Sequence, residues 1–293
     1  MKIALNILAL MSLYSFSWYQ YPEDRLYTRA DQGYSQYGAP SLHHTGKYTL
    51  TFDDGPHPVN TPKLLDTLKK YDVKVTFFVI TSLINEKTFP IIKRMLDEGH
   101  IVASHGRSHD NSNNITAEQW KTRVKQSFID LSGWYKKAGH KMDKIYYRFP
   151  YAAYGTGKGY HHMNSLKEVS QSLLKGNCIQ FVFWDKPNDS GDWIPKMTSQ
   201  EIFQNMKAIN EGGSFITYKT VRNSRGVKTQ VKVPTKVTKP LSGGVVLQHD
   251  IQTATLAATE MYLKYAVENN LEIVPLDEVE EFKISKECAS KSL

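Results

Sequence analysis

The strongest constraint on this chain is an alternation. Between Tyr48 and Val274, short β-branched or aromatic runs take turns with longer stretches whose apolar residues recur at helical spacing. Residues 48–52 alternate and stop at Asp53-Asp54-Gly55-Pro56, as a strand does on entering a turn. Thr61-Pro62 predicts a helix start, with Thr61 as cap, Pro62 in the first turn and Leu64, Leu65 and Leu68 as the buried stripe. Residues 73–80 are almost uninterrupted β-branched and aromatic, the pattern of a strand covered on both faces. Ile91, Ile92, Met95 and Leu96 mark a helix stopped by Gly99, and residues 101–103 a short strand. Thr116 with Gln119 forms a capping-box signature for a helix to about Ala138, and Thr198 with Glu201 forms a second. Strands over 145–148 and 179–184 flank a helix over 164–174; a strand over 245–248, a helix over 253–268 and a strand over 272–274 complete the series. Repeated βα units call for a parallel sheet with helices outside. Their count favours an α/β barrel of about seven or eight strands, in which chemistry collects at the C-terminal strand ends.

Two segments stand outside the alternation. Lys2 followed by an apolar run to about Phe16, then Ser15-Phe16-Ser17, has the grammar of a secretory signal peptide over residues 1–17. The run falls short of the ~20 residues that span a bilayer, so an exported, periplasmic or secreted chain that does not span the membrane after cleavage is expected. Residues 18–46 form a Tyr-, Gln- and Gly-rich arm, expected to pack along the domain, and residues 286–293 a C-terminal tail. Residues 212–244 contain no acidic residue and seven cations, Lys219, Arg222, Arg225, Lys228, Lys232, Lys236 and Lys239, which nearly match the net charge of +8. Val231, Val233 and Val237 suggest a hairpin-like insertion, either a solvated edge-protecting loop or a wall that attracts an anionic polymer. No nucleic-acid motif accompanies this charge. With only Cys178 and Cys288 in the chain, a cysteine-based zinc cluster is excluded; in an oxidising compartment the two can pair, which sequence alone does not show.

The polar clusters fall at the predicted strand ends. Neighbouring Asp53 and Asp54 can point apart at a turn, one binding a cation while the other stays free as a base. His105 and His109, four residues apart after another strand, can share one side of a helical turn. With Asp54 they make two imidazoles and a carboxylate, a set that serves hydrolytic zinc and also non-haem iron. Arg148-Phe149-Pro150-Tyr151, Asp189-Ser190-Gly191-Asp192-Trp193 and Leu247-Gln248-His249 close three further strands. Each cluster is weak alone; five in this order are not.

On these motifs, over residues 47–280, the chain resembles the polysaccharide deacetylases of carbohydrate esterase family 4, the NodB-type domain. The resemblance implies a distorted (β/α)7-like barrel, with the deacetylase domain over 47–285. It implies that Asp54, His105 and His109 hold one divalent metal, usually Zn2+, with Co2+, Ni2+ or Mn2+ as alternatives. Asp53 would be the general base, held by Arg148. The backbone N–H of Tyr151 would face the oxyanion, Asp192 would tune the general acid His249, and Trp193 and Leu247 would shape a pocket for the acetyl methyl. The implied activity is deacetylation of N-acetylglucosamine in a cell-wall glycan by a monomer. Peptidoglycan is the favoured partner, ahead of chitin oligosaccharides and acetyl-xylan; a non-catalytic glycan-binding barrel is the competing class. The segment between Trp184 and Asp192 is about two residues longer than the family's usual spacing, and Ala152 stands where Gly often follows the Tyr. His43, His44, His161 and His162 are expected at the surface, His57 in a structural turn role, and His100 paired to backbone. Tyr154 and Tyr160 are expected either to stack on sugar or to pack their loop.

Overall fold

The computed structural model describes residues 38–154, 161–185, 188–222 and 226–293. The expected signal peptide, the arm up to residue 37, Tyr160, Arg225 and the His161 side chain lie outside the described residues. In chain order the elements are β1 (Lys47–Asp53), α1 (Asn60–Lys70), β2 (Thr76–Val79), α2 (Phe89–Asp97), β3 (Ile101–Ser104), α3 (Ala117–Ala138), β4 (Tyr146–Tyr147), α4 (His161–Leu174), β5 (Gln180–Phe181), α5 (Ser199–Glu211), β6 (Gly213–Arg222), β7 (Lys228–Val237), β8 (Gly244–His249), α6 (Thr253–Glu268) and β9 (Glu272–Ile273).

Seven strands form one parallel sheet in the order β5-β4-β3-β2-β1-β8, with β9 on the first residues of β1. The sheet curls until its outer strands approach. The chain leaving β5 then meets β8: Asp185 N–H donates to Val245 O, Ser190 N–H donates to Leu247 O, and Asp189 bridges Leu247 in parallel. This is the expected distorted seven-stranded barrel. Its buried core is aromatic, with Tyr48, Phe52, Phe77, Phe78, Tyr146, Tyr147 and Phe149 all essentially inaccessible to solvent. Phe52 stacks on Phe77, and Phe149 on Trp120 of α3. A fully buried side chain of this size contributes ~1.5–3 kcal/mol, so β1, β2 and β4 form a rigid base under whatever their ends carry.

Both capping boxes form. Thr116 accepts from Gln119 N–H and Thr198 from Glu201 N–H, and each Glu or Gln side chain returns to the cap residue's N–H. Gly139 ends α3 at φ +83°, a conformation in which glycine meets no Cβ penalty. The start of α1 differs from expectation: the helix begins at Asn60, so Thr61 is not its cap. The Nδ1 of His57 accepts from the N–H of both Val59 and Asn60, and Thr61 Oγ1 instead accepts from His57 N–H and donates to Asp250. An imidazole lone pair here does what a hydroxyl was expected to do.

The basic insertion is an antiparallel hairpin, β6 paired with β7 from Gly213–Val237 to Arg222–Lys228. It is a separate two-stranded sheet rather than an irregular loop. Asn205 of α5 clamps it: Ile216 N–H donates to Asn205 Oδ1, and Asn205 Nδ2 donates to both Ile216 O and Ser190 O. Cys178 and Cys288 are disulfide-bonded, tying the chain before β5 to the C-terminal segment. Among the described residues no helix is long and apolar enough to cross a membrane.

Candidate active site and metal centre

All five motifs meet at the C-terminal strand ends around a pocket of about 290 Å³. Its lining includes Asp53, Asp54, His105, His109, Tyr151, Trp193, Leu247 and His249. The two adjacent aspartates diverge because Asp53 is the last residue of β1 whereas Asp54 adopts φ +78°, a region that Asp tolerates better than most residues.

Asp53 is buried, and its Oδ1 accepts from Arg148 Nη1 at 2.8 Å. Arg148 has no solvent exposure. Its guanidinium also donates to Thr51 Oγ1, Val182 O and Phe183 O, and its plane lies 4.1 Å from the Phe78 ring centre. The charge is therefore held by strands β1 and β4 and the segment after β5 together, which leaves the Asp53 carboxylate one orientation.

Asp54 faces the histidines. Its Oδ1 lies 3.4 Å from His105 Nε2 and 3.2 Å from His109 Nε2, and one ligand atom from each of the three residues falls within 4.8 Å of the other two. His105 Nδ1 lies 2.8 Å from Arg148 O. A carbonyl can only accept, so Nδ1 carries the proton and Nε2 presents its lone pair. Burial, only partly opposed by Asp53 and Asp54, lowers the His105 pKa and keeps the ring neutral, the form that ligates. His105 and His109 do not share a helical turn as expected: they flank a bend, with Gly106 at φ +87° reversing the chain so that both rings reach Asp54.

The donor set fits a small divalent cation. Asp54 Oδ1 is buried with no hydrogen-bond partner among the described residues, a cost that a ligated cation would remove. Tetrahedral bonds of ~2.1 Å place neighbouring donors ~3.4 Å apart, which is the spacing seen from Asp54 to each imidazole.

His249 ends β8 beside Asp53, its register partner on β1. Its Nδ1 lies 2.7 Å from Asp192 Oδ1, and its N–H donates to Asp192 Oδ2, which also accepts from Thr255 Oγ1. Burial alone would lower the His249 pKa; the charge and hydrogen bond of Asp192, with Asp54 and Asp53 adding, outweigh it and hold the ring up to about 10. The pocket thus carries a carboxylate and an imidazolium at neighbouring strand ends. Leu247 and Trp193 add apolar surface, and Tyr151, 62% exposed and at φ +57°, stands at the rim with its ring 4.3 Å from that of His109.

Residues 43–162 match the family described as polysaccharide deacetylase. The match spans the first three of the five motifs. A peptidoglycan-N-acetylglucosamine deacetylase of Listeria monocytogenes is 26% identical over 251 residues, covering 84% of this chain and 42% of the relative. The domain shares its fold with a crystal structure of a peptidoglycan N-acetylglucosamine deacetylase (TM-score 0.60, 22% identity, 91% of this chain and 99% of that one). It shares it too with a family 4 acetyl xylan esterase from Clostridium thermocellum in complex with a cobalt ion (TM-score 0.56, 23% identity, 80% and 89%). The chain spans 32% to 50% of the length of curated peptidoglycan deacetylases from Bacillus cereus, L. monocytogenes and Bacillus subtilis.

Four residues in or beside the pocket were given no role by the sequence reading. Asp189 accepts from the Trp193 indole N–H at 3.0 Å and so fixes that ring. Tyr218 and Gln230 reach the pocket from the hairpin, and the Tyr218 ring meets Trp193 edge-on at 4.6 Å. Asp250 lies buried behind the site against Thr61, and burial pushes its carboxyl up to about 7. The place of Asp189 at the head of the Asp-Trp motif and the adjacency of Asp250 to His249 were the available signals; nothing in the sequence placed the hairpin over the site.

The remaining expectations divide. His57 caps α1, and His100 Nδ1 accepts from Val75 N–H, both as expected. His162 is not at the surface: it is fully buried with Nε2 2.6 Å from Ser112 O. His43 is half-buried with Nε2 2.7 Å from Asp185, while His44 is exposed. Tyr154 is buried edge-on against Phe183, which makes it loop packing rather than a sugar platform.

Proposed function

We propose that this domain hydrolyses the acetamide of N-acetylglucosamine units in a cell-wall glycan, with peptidoglycan as the preferred polymer. The observation that carries the reading is the pairing, across one small pocket, of an Arg-held carboxylate with an Asp-held imidazolium, beside a three-donor cation site. Asp54, His105 and His109 would hold a divalent metal, zinc by donor type, with Co2+, Ni2+ or Mn2+ acceptable to the same set. Such an ion supplies Lewis acidity and lowers the pKa of water toward ~7.

The chain's own residues do the rest. Asp53 takes a proton from the attacking water, whose oxygen bonds to the acetyl carbon. Arg148 keeps that carboxylate aimed. The Tyr151 N–H faces the oxygen on which charge develops; one such donor is typically worth ~2.7–4 kcal/mol of barrier. His249, charged through Asp192, gives its proton to the nitrogen as the C–N bond breaks, so that an amine leaves rather than an amide anion. Leu247 and Trp193 enclose the methyl. A mononuclear iron oxygenase would have no use for this paired base and acid.

Export agrees with the signal-like residues 1–17 and with the Cys178–Cys288 disulfide, which an oxidising compartment permits. The deacetylase unit is assigned to residues 47–285, and the chain is taken to act as a monomer. The test is acetate release from purified peptidoglycan, chitin oligomers and acetylated xylan in parallel, with and without chelator. Release greatest from peptidoglycan, lost with chelator and restored by Zn2+, is expected, and Asp53→Asn should retain metal while losing turnover. No acetate from any of the three with Zn2+ present would overturn the reading.

A further inference from the structure

The hairpin brings charge to the pocket as well as a wall. In an antiparallel pair, directly opposed residues share a face, so the register places Ile216, Tyr218, Thr220 and Arg222 on one side with Pro234, Lys232, Gln230 and Lys228 opposite them in turn. Tyr218 and Gln230 line the catalytic pocket, which fixes this as the face turned toward it. Lys219 and Val231 oppose each other on the far face.

The cations on the pocket-side face differ in what they already touch. Lys232 is engaged, 2.6 Å from Glu201 of α5, and this ion pair helps to seat the hairpin. Arg222 and Lys228 stand directly opposite each other, both exposed, one strand step of two residues beyond Thr220 and Gln230. Two residues of strand cover about 7 Å. Arg222 donates to Gly226 O, and neither cation has an acidic partner among the described residues. Like charges opposed across a ladder destabilise it, and residues 212–244 contain no acidic residue to relieve the pair. An anion from outside would do so. The clamp of Asn205 and the Trp193–Tyr218 contact give the hairpin a fixed seat, so the cations stand at a defined distance from the reacting acetamide.

We infer that Arg222 and Lys228 form a carboxylate-reading subsite, which selects glycans bearing an anionic substituent on the sugar next to the one that is deacetylated. This rests on the deacetylase reading and narrows it: the hairpin makes the pocket specific for a carboxylated glycan over a neutral one of the same backbone. Two exposed charge contacts of this kind are together worth about 5- to 10-fold in affinity at low salt, and less as salt screens them.

The experiment compares soluble peptidoglycan fragments with the same fragments after their carboxylates are converted to amides. Equilibrium binding by calorimetry and acetate release are both measured, at low and at high NaCl. For the wild type, amidation should weaken binding and lower kcat/KM by about 5- to 10-fold, and high salt should remove the difference. The double variant Arg222→Gln/Lys228→Gln should bind both fragments as the wild type binds the amidated one, with the loss in KM rather than kcat. The charge-matched variant Lys219→Gln/Lys239→Gln, whose Lys219 lies on the far face and whose Lys239 lies beyond the hairpin, should behave as wild type. Equal binding of carboxylated and amidated fragments by the wild type overturns the subsite, as does an equal effect of the two double variants. Either result leaves the deacetylase reading standing if acetate is still released. Selective binding without acetate release would instead uphold the subsite and sink the hydrolytic reading.

Discussion

Arg148→Met tests how the base is held. The wild-type guanidinium is fully buried and donates to Asp53 Oδ1 at 2.8 Å, Thr51 Oγ1 at 2.7 Å, Val182 O at 2.9 Å and Phe183 O at 3.2 Å. Methionine roughly fills the volume but donates nothing. The Asp53 carboxylate is then left buried without its counter-charge, a defect that typically costs ~3–5 kcal/mol. At ~2–4 °C per kcal/mol for a domain of this size, Tm should fall by ~6–20 °C. The second variant separates charge from packing. Asp53→Asn removes the uncompensated charge, so Arg148→Met/Asp53→Asn should be more stable than Arg148→Met alone, with a coupling of ~2 kcal/mol or more. The assay is urea unfolding followed by tryptophan fluorescence, with chelator present so that only the chain's own charges contribute. A loss below ~1 kcal/mol for Arg148→Met, or strict additivity in the double variant, would refute the claim that Arg148 is the counter-charge holding Asp53.

Asp192→Asn leaves only Asp54 and Asp53 to oppose burial at His249, so the alkaline limb of kcat/KM should move to lower pH; an unmoved limb would remove His249 as the acid. Because the folded pKa of His249 is raised, the Asp192 pair stabilises fully below the unfolded value of ~6.5. That contribution is lost as pH rises through about 10, so the stability gap between wild type and Asp192→Asn should shrink across this window in urea titrations. Asp54→Asn should abolish Zn2+ binding by equilibrium dialysis while leaving the unfolding free energy of the metal-free protein within about 1 kcal/mol of wild type, since Asp54 Oδ1 has no hydrogen-bond partner among the described residues to lose. Reduction of Cys178–Cys288, which closes a loop of sequence separation 110, should destabilise by up to ~4.7 kcal/mol on the chain-entropy account. An unchanged midpoint in reductant would show that the unfolded chain is not restrained by it.

Local patterns carried most of the architecture. Both capping boxes, the Gly139 stop and the Thr253–Glu268 helix are decided by residues a few positions apart, and a capping side chain needs only its own helix. The βα alternation then leaves few topologies, because crossovers between parallel strands have one hand and helices must cover the apolar face of the sheet. The candidate metal-ligand cluster was legible for the same reason: Asp54, His105 and His109 each follow a strand, and parallel strands deliver their ends to one place.

What sequence could not supply was the distance between elements. Nothing local marks Thr61 as a partner of Asp250 rather than a cap, or His162 as buried, since both depend on what packs from far along the chain. The same holds for the hairpin. Its alternation shows two strands, but only the curl of the sheet and the Asn205 clamp bring Tyr218 and Gln230 over the pocket. Residue type and spacing thus determined which chemistry this chain can carry. Tertiary packing decided which wall faces the substrate, because that depends on contacts between segments whose order in the sequence says nothing of their proximity.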